Sequence, residues 1–185
     1  MSAEPQILVV AATAGELAGH DGLVCGIGPV EAAAATARAL AESPPDGVLH
    51  VGLAGGAGLA VGTLVVGTES IYADLAAAIP VLSRVEPDPT LLAAVRRALP
   101  EAPGLPIATS AAVTEARNSL LQAARVEAME GFGVLRACEL AGVPAVEVRA
   151  ISNELGEPDR SRWELDRGLE TLATALPLLL AALRE

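Results

Sequence analysis

The hydrophobic pattern is clearest near the start of the chain, where residues 6–12 (QILVVAA) run apolar without alternation, as a strand buried on both faces requires. The same pattern returns at 46–52 and at 144–151. A longer β-prone stretch, 63–73, is broken by Gly67, and 23–25 suffices only for a short strand. Between these lie segments of helical character: the Ala-rich 31–42, stopped by Pro44 and Pro45; 90–99, framed by prolines; 124–141; and 162–183. Strands alternating with helices predict an α/β fold, a three-layer arrangement in which helices flank a twisted, mostly parallel (mixed) sheet. Neither an internal repeat nor a linker interrupts the pattern, so 1–185 is read as a single domain.

Composition narrows this picture. The chain is 52% hydrophobic but only 2% aromatic, so Ala, Val, Leu and Ile must fill the core. Its 12 basic residues are all Arg, against 23 acidic ones, for a net charge of −11. Binding a nucleic-acid backbone needs clustered cations, which argues against a nucleic-acid partner. A chain without Lys also has no Walker lysine and no Schiff-base lysine. Cys25 and Cys138 sit in apolar surroundings without CxxC spacing, which reads as buried thiols in a reducing compartment. With His20 and His50 they offer no metal-ligand spacing, so no metal site is expected. The longest apolar run, 172–183, is too short for a membrane span and contains Pro177, and no signal-peptide pattern opens the chain. A cytoplasmic protein without a membrane partner is the expectation.

In α/β sheets ligands bind at the carboxyl ends of strands. That rule selects the loop with Thr13 and Glu16, the turn Gly26-Ile27-Gly28, the glycine loop 52–58 with Ala54 and Gly55, the segment with Ser152 and Asn153, and the turn at Met129-Glu130 before a helix. Gly26-Ile27-Gly28 is a partial dinucleotide fingerprint, but Glu31 stands where its third glycine belongs, and no acid ends the next strand. It is read as a tight turn into a helix, and no cofactor is expected. Glu130 lies in the apolar stretch Val-Glu-Ala-Met-Glu-Gly-Phe (126–132), where a carboxylate must either pair with an arginine or face a ligand.

Taken in order, these segments resemble the nucleoside phosphorylase and methylthioadenosine/adenosylhomocysteine nucleosidase superfamily. The resemblance rests on Ile-Leu-Val-Val with Glu16, Gly26-Ile27-Gly28-Pro-Val-Glu-Ala-Ala, Gly52-Leu-Ala-Gly-Gly, Met129-Glu130 and Arg149-Ala-Ile-Ser-Asn153. Within the superfamily, Arg149 to Asn153 followed by Gly156-Glu-Pro-Asp-Arg-Ser-Arg-Trp163 is similar to the futalosine hydrolases, which remove hypoxanthine from futalosine in menaquinone biosynthesis. The resemblance implies a nucleoside phosphorylase-like fold and hydrolysis of an N-ribosidic bond without a cofactor. It further implies Glu16 as general base on water, Glu130 accepting from both ribose hydroxyls, Met129 packed on the ribose, Asn153 on the purine, and Thr13, Ala54 and Gly55 lining the substrate pocket.

The purine position carries a chemical distinction. Adenine-releasing members have Asp there, whereas the Asn153 amide donates and suits the O6 and N7 acceptors of a 6-oxopurine. The phosphorylases of the superfamily hold phosphate with arginines in the corresponding loops; here 11–22 and 52–62 contain no Arg, so the resemblance implies hydrolysis over phosphorolysis. Methylthioadenosine/adenosylhomocysteine nucleosidase and purine nucleoside phosphorylase are the neighbouring readings. A catalytically weak nucleoside-binding homologue is the reading of another class, motivated by the short segment between Glu16 and Gly26. The base-stacking aromatic expected near 111–114 is absent, leaving Tyr72, Phe132 or Trp163 to take its place. The superfamily resemblance also implies a homodimer or larger homo-oligomer, with the apolar segment 63–80 as its expected interface.

Overall fold

The computed structural model describes residues 4–75, 79–112 and 124–185. Along the chain run β1 (Ile7–Ala11), β2 (Leu23–Val24), α1 (Pro29–Glu42), β3 (Gly47–Gly56), β4 (Leu64–Tyr72), β5 (Arg84–Val85), α2 (Pro89–Ala98), β6 (Gly104–Thr109), β7 (Val126–Ala128), α3 (Gly131–Ala141), β8 (Ala145–Glu154) and α4 (Leu165–Leu183), with one 3-10 turn at Arg160–Arg162 before α4. The eight described strands form one mixed sheet ordered β2-β1-β3-β7-β6-β4-β5, with β8 paired to both β3 and β4. The pairings β3 to β8, β8 to β4, β4 to β6, β6 to β7 and β7 back to β3 close on themselves, so this half of the sheet curls into a small barrel.

Side-chain alternation in the central strands explains the layers. Val9, Leu49, Val51, Val146 and Val148 point to one face and pack against Leu172, Leu176 and Leu179 of α4. Val10 and Val48 point to the other and meet Ala32 and Leu40 of α1 with Val134, Leu135 and Cys138 of α3. The alternation also sends His50, Glu147 and Arg149 toward the α1/α3 face, and all three are fully buried. His50 lies opposite Glu147 and Gly52 opposite Arg149 in the parallel β3/β8 register.

Several boundaries differ from the sequence expectation. The region 124–141 is not one helix. Val126–Ala128 pairs with β6 and with the end of β3, so tertiary pairing overrides helix propensity there, and α3 begins only at Gly131. Residues 52–56 of the expected glycine loop belong to β3, and Asn153 lies within β8 rather than past it. Strand β6, hidden in proline-punctuated sequence, completes the barrel, and β5 adds an edge strand on β4. Within the stretch 63–80, Leu64–Tyr72 is paired with β5, β6 and β8 and its side chains are buried or half-buried, whereas Ile79 is 70% exposed. Residues 76–78 of that stretch, and 113–114 of the expected aromatic site, lie outside the described residues.

Candidate active site

A cavity of about 270 Å³ opens at the ends of β1, β3, β7 and β8. Its lining brings together Thr13, Glu16, Ala54, Gly55, Met129, Glu130 and Asn153, all seven of the residues singled out from sequence. They come from four separate segments, and each is held there by an identifiable interaction or strand position.

Glu16 is buried, and three donors fix its carboxylate. Thr13 gives its backbone N–H (2.9 Å) and hydroxyl (2.8 Å) to Oε2, and the Leu53 N–H donates to Oε1 (2.9 Å). The short segment between Glu16 and Gly26 therefore leaves the carboxylate anchored to β3 beside the cavity. Glu130 is also buried, at the entrance to α3. Its Oε1 accepts from the Gly28 N–H at the start of α1 (3.2 Å), where the helix dipole favours a negative charge. Its Oε2 meets Arg149 Nη1 at 3.3 Å. Glu130 thus both pairs with an arginine and lines the cavity.

Beneath these groups lies a buried ionic floor. Arg149 donates Nε–H to Glu147 Oε1 (2.8 Å), Nη1–H to Glu130, and Nη2–H to His50 Nε2. A guanidinium only donates, so His50 Nε2 must accept, and Nδ1 must carry the proton that it gives to the Val10 carbonyl (2.9 Å). Burial, reinforced by the Arg149 charge, accordingly holds the imidazole well below its usual pKa, and the ring is neutral. Burial raises the Glu147 pKa, with Arg149 opposing part of that shift. Burial also works against the Arg149 charge, but the carboxylates of Glu147 and Glu130 outweigh it and raise its pKa.

Two glycines make room for this chemistry. A β-carbon at Gly52 would fall 2.3 Å from Arg149 Nη1 and 2.9 Å from Glu16 Oε1; one at Gly131 would fall 2.3 Å from Glu147 Oε1. Cys25 and Cys138 are buried free thiols that burial pushes up to about 11 and about 12, too high for a thiolate nucleophile at neutral pH.

One wall of the cavity is lined by Ala54, Gly55, Ser152 and Asn153. Asn153 Oδ1 accepts from Ser152 Oγ (2.8 Å), and Nδ2 donates one proton to the Glu154 carbonyl (2.9 Å), so its second N–H has no partner among the described residues. Of the three aromatic candidates, Tyr72 and Phe132 stack on one another with centroids 5.1 Å apart and serve the α3 side of the core. Trp163 lines the cavity, as do Arg160, Leu165 and Leu169.

Sequence reading missed His50 and Glu147. The signal was present in residues 145–151, where Glu147 and Arg149 occupy one face of an otherwise apolar strand. It also counted no arginine near the glycine loop, yet β8 delivers Arg149 to Gly52 across the sheet. That arginine is engaged on Nε, Nη1 and Nη2 and so is not a free phosphate-binding group.

The chain belongs to the phosphorylase superfamily, whose family model matches residues 9–185. Within that superfamily it is futalosine hydrolase-like. It is 37% identical to a futalosine hydrolase of Streptomyces coelicolor, over 85% of this chain and 77% of that protein. A futalosine hydrolase of Thermus thermophilus is 35% identical over 86% and 80%. Among solved structures, a 5′-methylthioadenosine/S-adenosylhomocysteine nucleosidase from Colwellia psychrerythraea in complex with adenine superposes with a TM-score of 0.86, covering 98% of this chain and 97% of that one at 22% identity.

Proposed function

We propose that this protein is an N-glycosyl hydrolase that cleaves futalosine to hypoxanthine and dehypoxanthine futalosine, a step of menaquinone biosynthesis. The observation that carries the reading is the convergence of Glu16, Glu130 and Asn153, from β-strand ends far apart in sequence, on one cavity. Cleaving an N-ribosidic bond builds positive charge on the sugar and negative charge on the leaving purine, so both ends need stabilising. Glu16 takes a proton from water as the water oxygen bonds to C1′. The C1′–N9 bond breaks with its electron pair leaving on the purine, which takes a proton from solvent to become hypoxanthine, and Glu16 returns its own proton to solvent. Glu130 accepts from the two ribose hydroxyls, and its charge favours the cationic sugar. Met129 packs on the ribose, with Thr13, Ala54 and Gly55 completing the wall. The free N–H of Asn153 serves the N7 and O6 acceptors of the departing hypoxanthine.

The engagement of Arg149 by two carboxylates and His50 supports water over phosphate as the nucleophile. A cytoplasmic setting agrees with two free buried cysteines and with the finding that no described helix is long and apolar enough to cross a membrane. A homo-oligomer finds support in Val24, Ile27 and Val30, which are 48%, 61% and 74% exposed around the turn into α1, with Ile27 also lining the cavity. The test is chromatography of the base released from futalosine, inosine, methylthioadenosine and adenosylhomocysteine, each with and without phosphate. Hypoxanthine from futalosine without phosphate is the expected result. Adenine release alone would overturn the Asn153 assignment, strict phosphate dependence would overturn hydrolysis, and no release from any substrate would favour a binding homologue.

A further inference from the structure

The cavity wall contains one segment that the proposed chemistry does not use, the connection from β8 to α4. It is stapled to itself. The Asp159 N–H donates to Glu157 Oε1 (3.0 Å), and Asp159 Oδ1 accepts from the Ser161 N–H (3.0 Å) and hydroxyl (2.7 Å). Trp163 Nε1–H donates to the Glu157 carbonyl (2.9 Å), and Arg162 pairs with Glu157 at 2.6 Å. These bonds fix the indole at the cavity edge and place the Arg160 guanidinium 5.5 Å from its ring centroid. Both side chains line the cavity.

The two arginines of this turn differ. Arg162 is spent on Glu157, whereas Arg160 makes no ion pair among the described residues and lies over the Trp163 indole. Among the described residues, the other ionisable groups lining the cavity, Glu16, Glu127 and Glu130, are acids. Among the described residues, a chain of net charge −11 thus keeps Arg160 as an uncommitted cation at the edge of the cavity, over a flat aromatic surface. A guanidinium forks onto a carboxylate with two parallel N–H···O bonds, and an indole face accepts a planar ring. A neutral alkyl or hydroxyl substituent would engage neither feature in this way.

We propose that Arg160 and Trp163 form a subsite for an aromatic carboxylate carried by the substrate on a substituent remote from the purine, and that this subsite sets substrate preference. The inference rests on the nucleosidase reading of the cavity. Futalosine carries an aryl carboxylate, and methylating it removes the charge while keeping the ring.

The experiment measures kcat/KM for hypoxanthine release from futalosine and from its methyl ester, using wild type, Arg160→Gln and Arg160→Lys. Wild type is expected to prefer the free acid by about 5- to 10-fold, mainly through KM, and the preference should shrink at high salt. Arg160→Gln should bring the ratio near one, and Arg160→Lys should restore part of it because the charge returns. A wild type that hydrolyses both forms equally, or an unchanged ratio in Arg160→Gln, would overturn the subsite while leaving the hydrolase reading intact. Failure of wild type to release hypoxanthine from either form would overturn the hydrolase reading and the subsite with it. Arg160 is exposed, so a thermal melt of each variant close to wild type is expected and separates recognition from misfolding.

Discussion

The floor and the edge of the cavity both use arginine–carboxylate pairs, yet they are built on opposite physics. In the floor, Arg149 is 0% exposed with Glu147 at 1% and Glu130 at 6%, so every charge depends on its partner for the solvation it has lost. At the edge, the Arg162 side chain is 70% exposed and water screens its pairing with Glu157. The floor therefore couples fold stability to site electrostatics. The edge can change what it recognises at little cost to the fold. Charges that must act on a developing cation belong where the dielectric is low, and charges that choose a substrate belong where they can be replaced.

Removing the floor's cation should have the largest effect. Arg149→Met strands two buried carboxylates and is expected to cost about 3–5 kcal/mol, lowering Tm by roughly 10 °C in a differential scanning experiment. A melt within about 2 °C of wild type would break the distinction between floor and edge.

A smaller effect should follow from His50. Its folded-state pKa is depressed below the ordinary value of 6.5, so below that pH the unfolded chain binds a proton that the fold refuses. Stability from this group is complete above 6.5 and declines as pH falls, by about 1 kcal/mol one unit lower. Wild type should thus lose more Tm between pH 7.5 and 5.5 than His50→Gln, which keeps an acceptor for Arg149. Equal slopes would mean that the ring does not stay neutral in the fold. The smallest effect belongs to the edge: Arg162→Gln should shift Tm by no more than about 3 °C.

The same contrast explains what could be read from sequence. Glu16, Glu130 and Asn153 were legible because each follows or ends an apolar run at a strand's carboxyl end, where ligands gather in α/β sheets. The ionic floor was not, because it depends on register: His50 meets Arg149 only once β3 and β8 pair in parallel with His50 opposite Glu147. The composition around Val126–Ala128 favours helix, and nothing local announces the strands that claim it. Likewise, the apolarity of 63–80 does not say which part the sheet takes: β4 lies between β8 and β6, while Ile79 is 70% exposed.

The central claim is that Glu16 performs the chemistry while Glu130 and Asn153 hold the nucleoside. Glu16→Gln preserves the acceptor for the Leu53 N–H or the Thr13 donors while removing the base. Single-turnover chromatography of futalosine paired with calorimetric titration of the same variant tests this directly. The account predicts that hypoxanthine release is abolished while futalosine binding stays within a few-fold of wild type. Release at an undiminished rate, or loss of binding together with turnover, would contradict it.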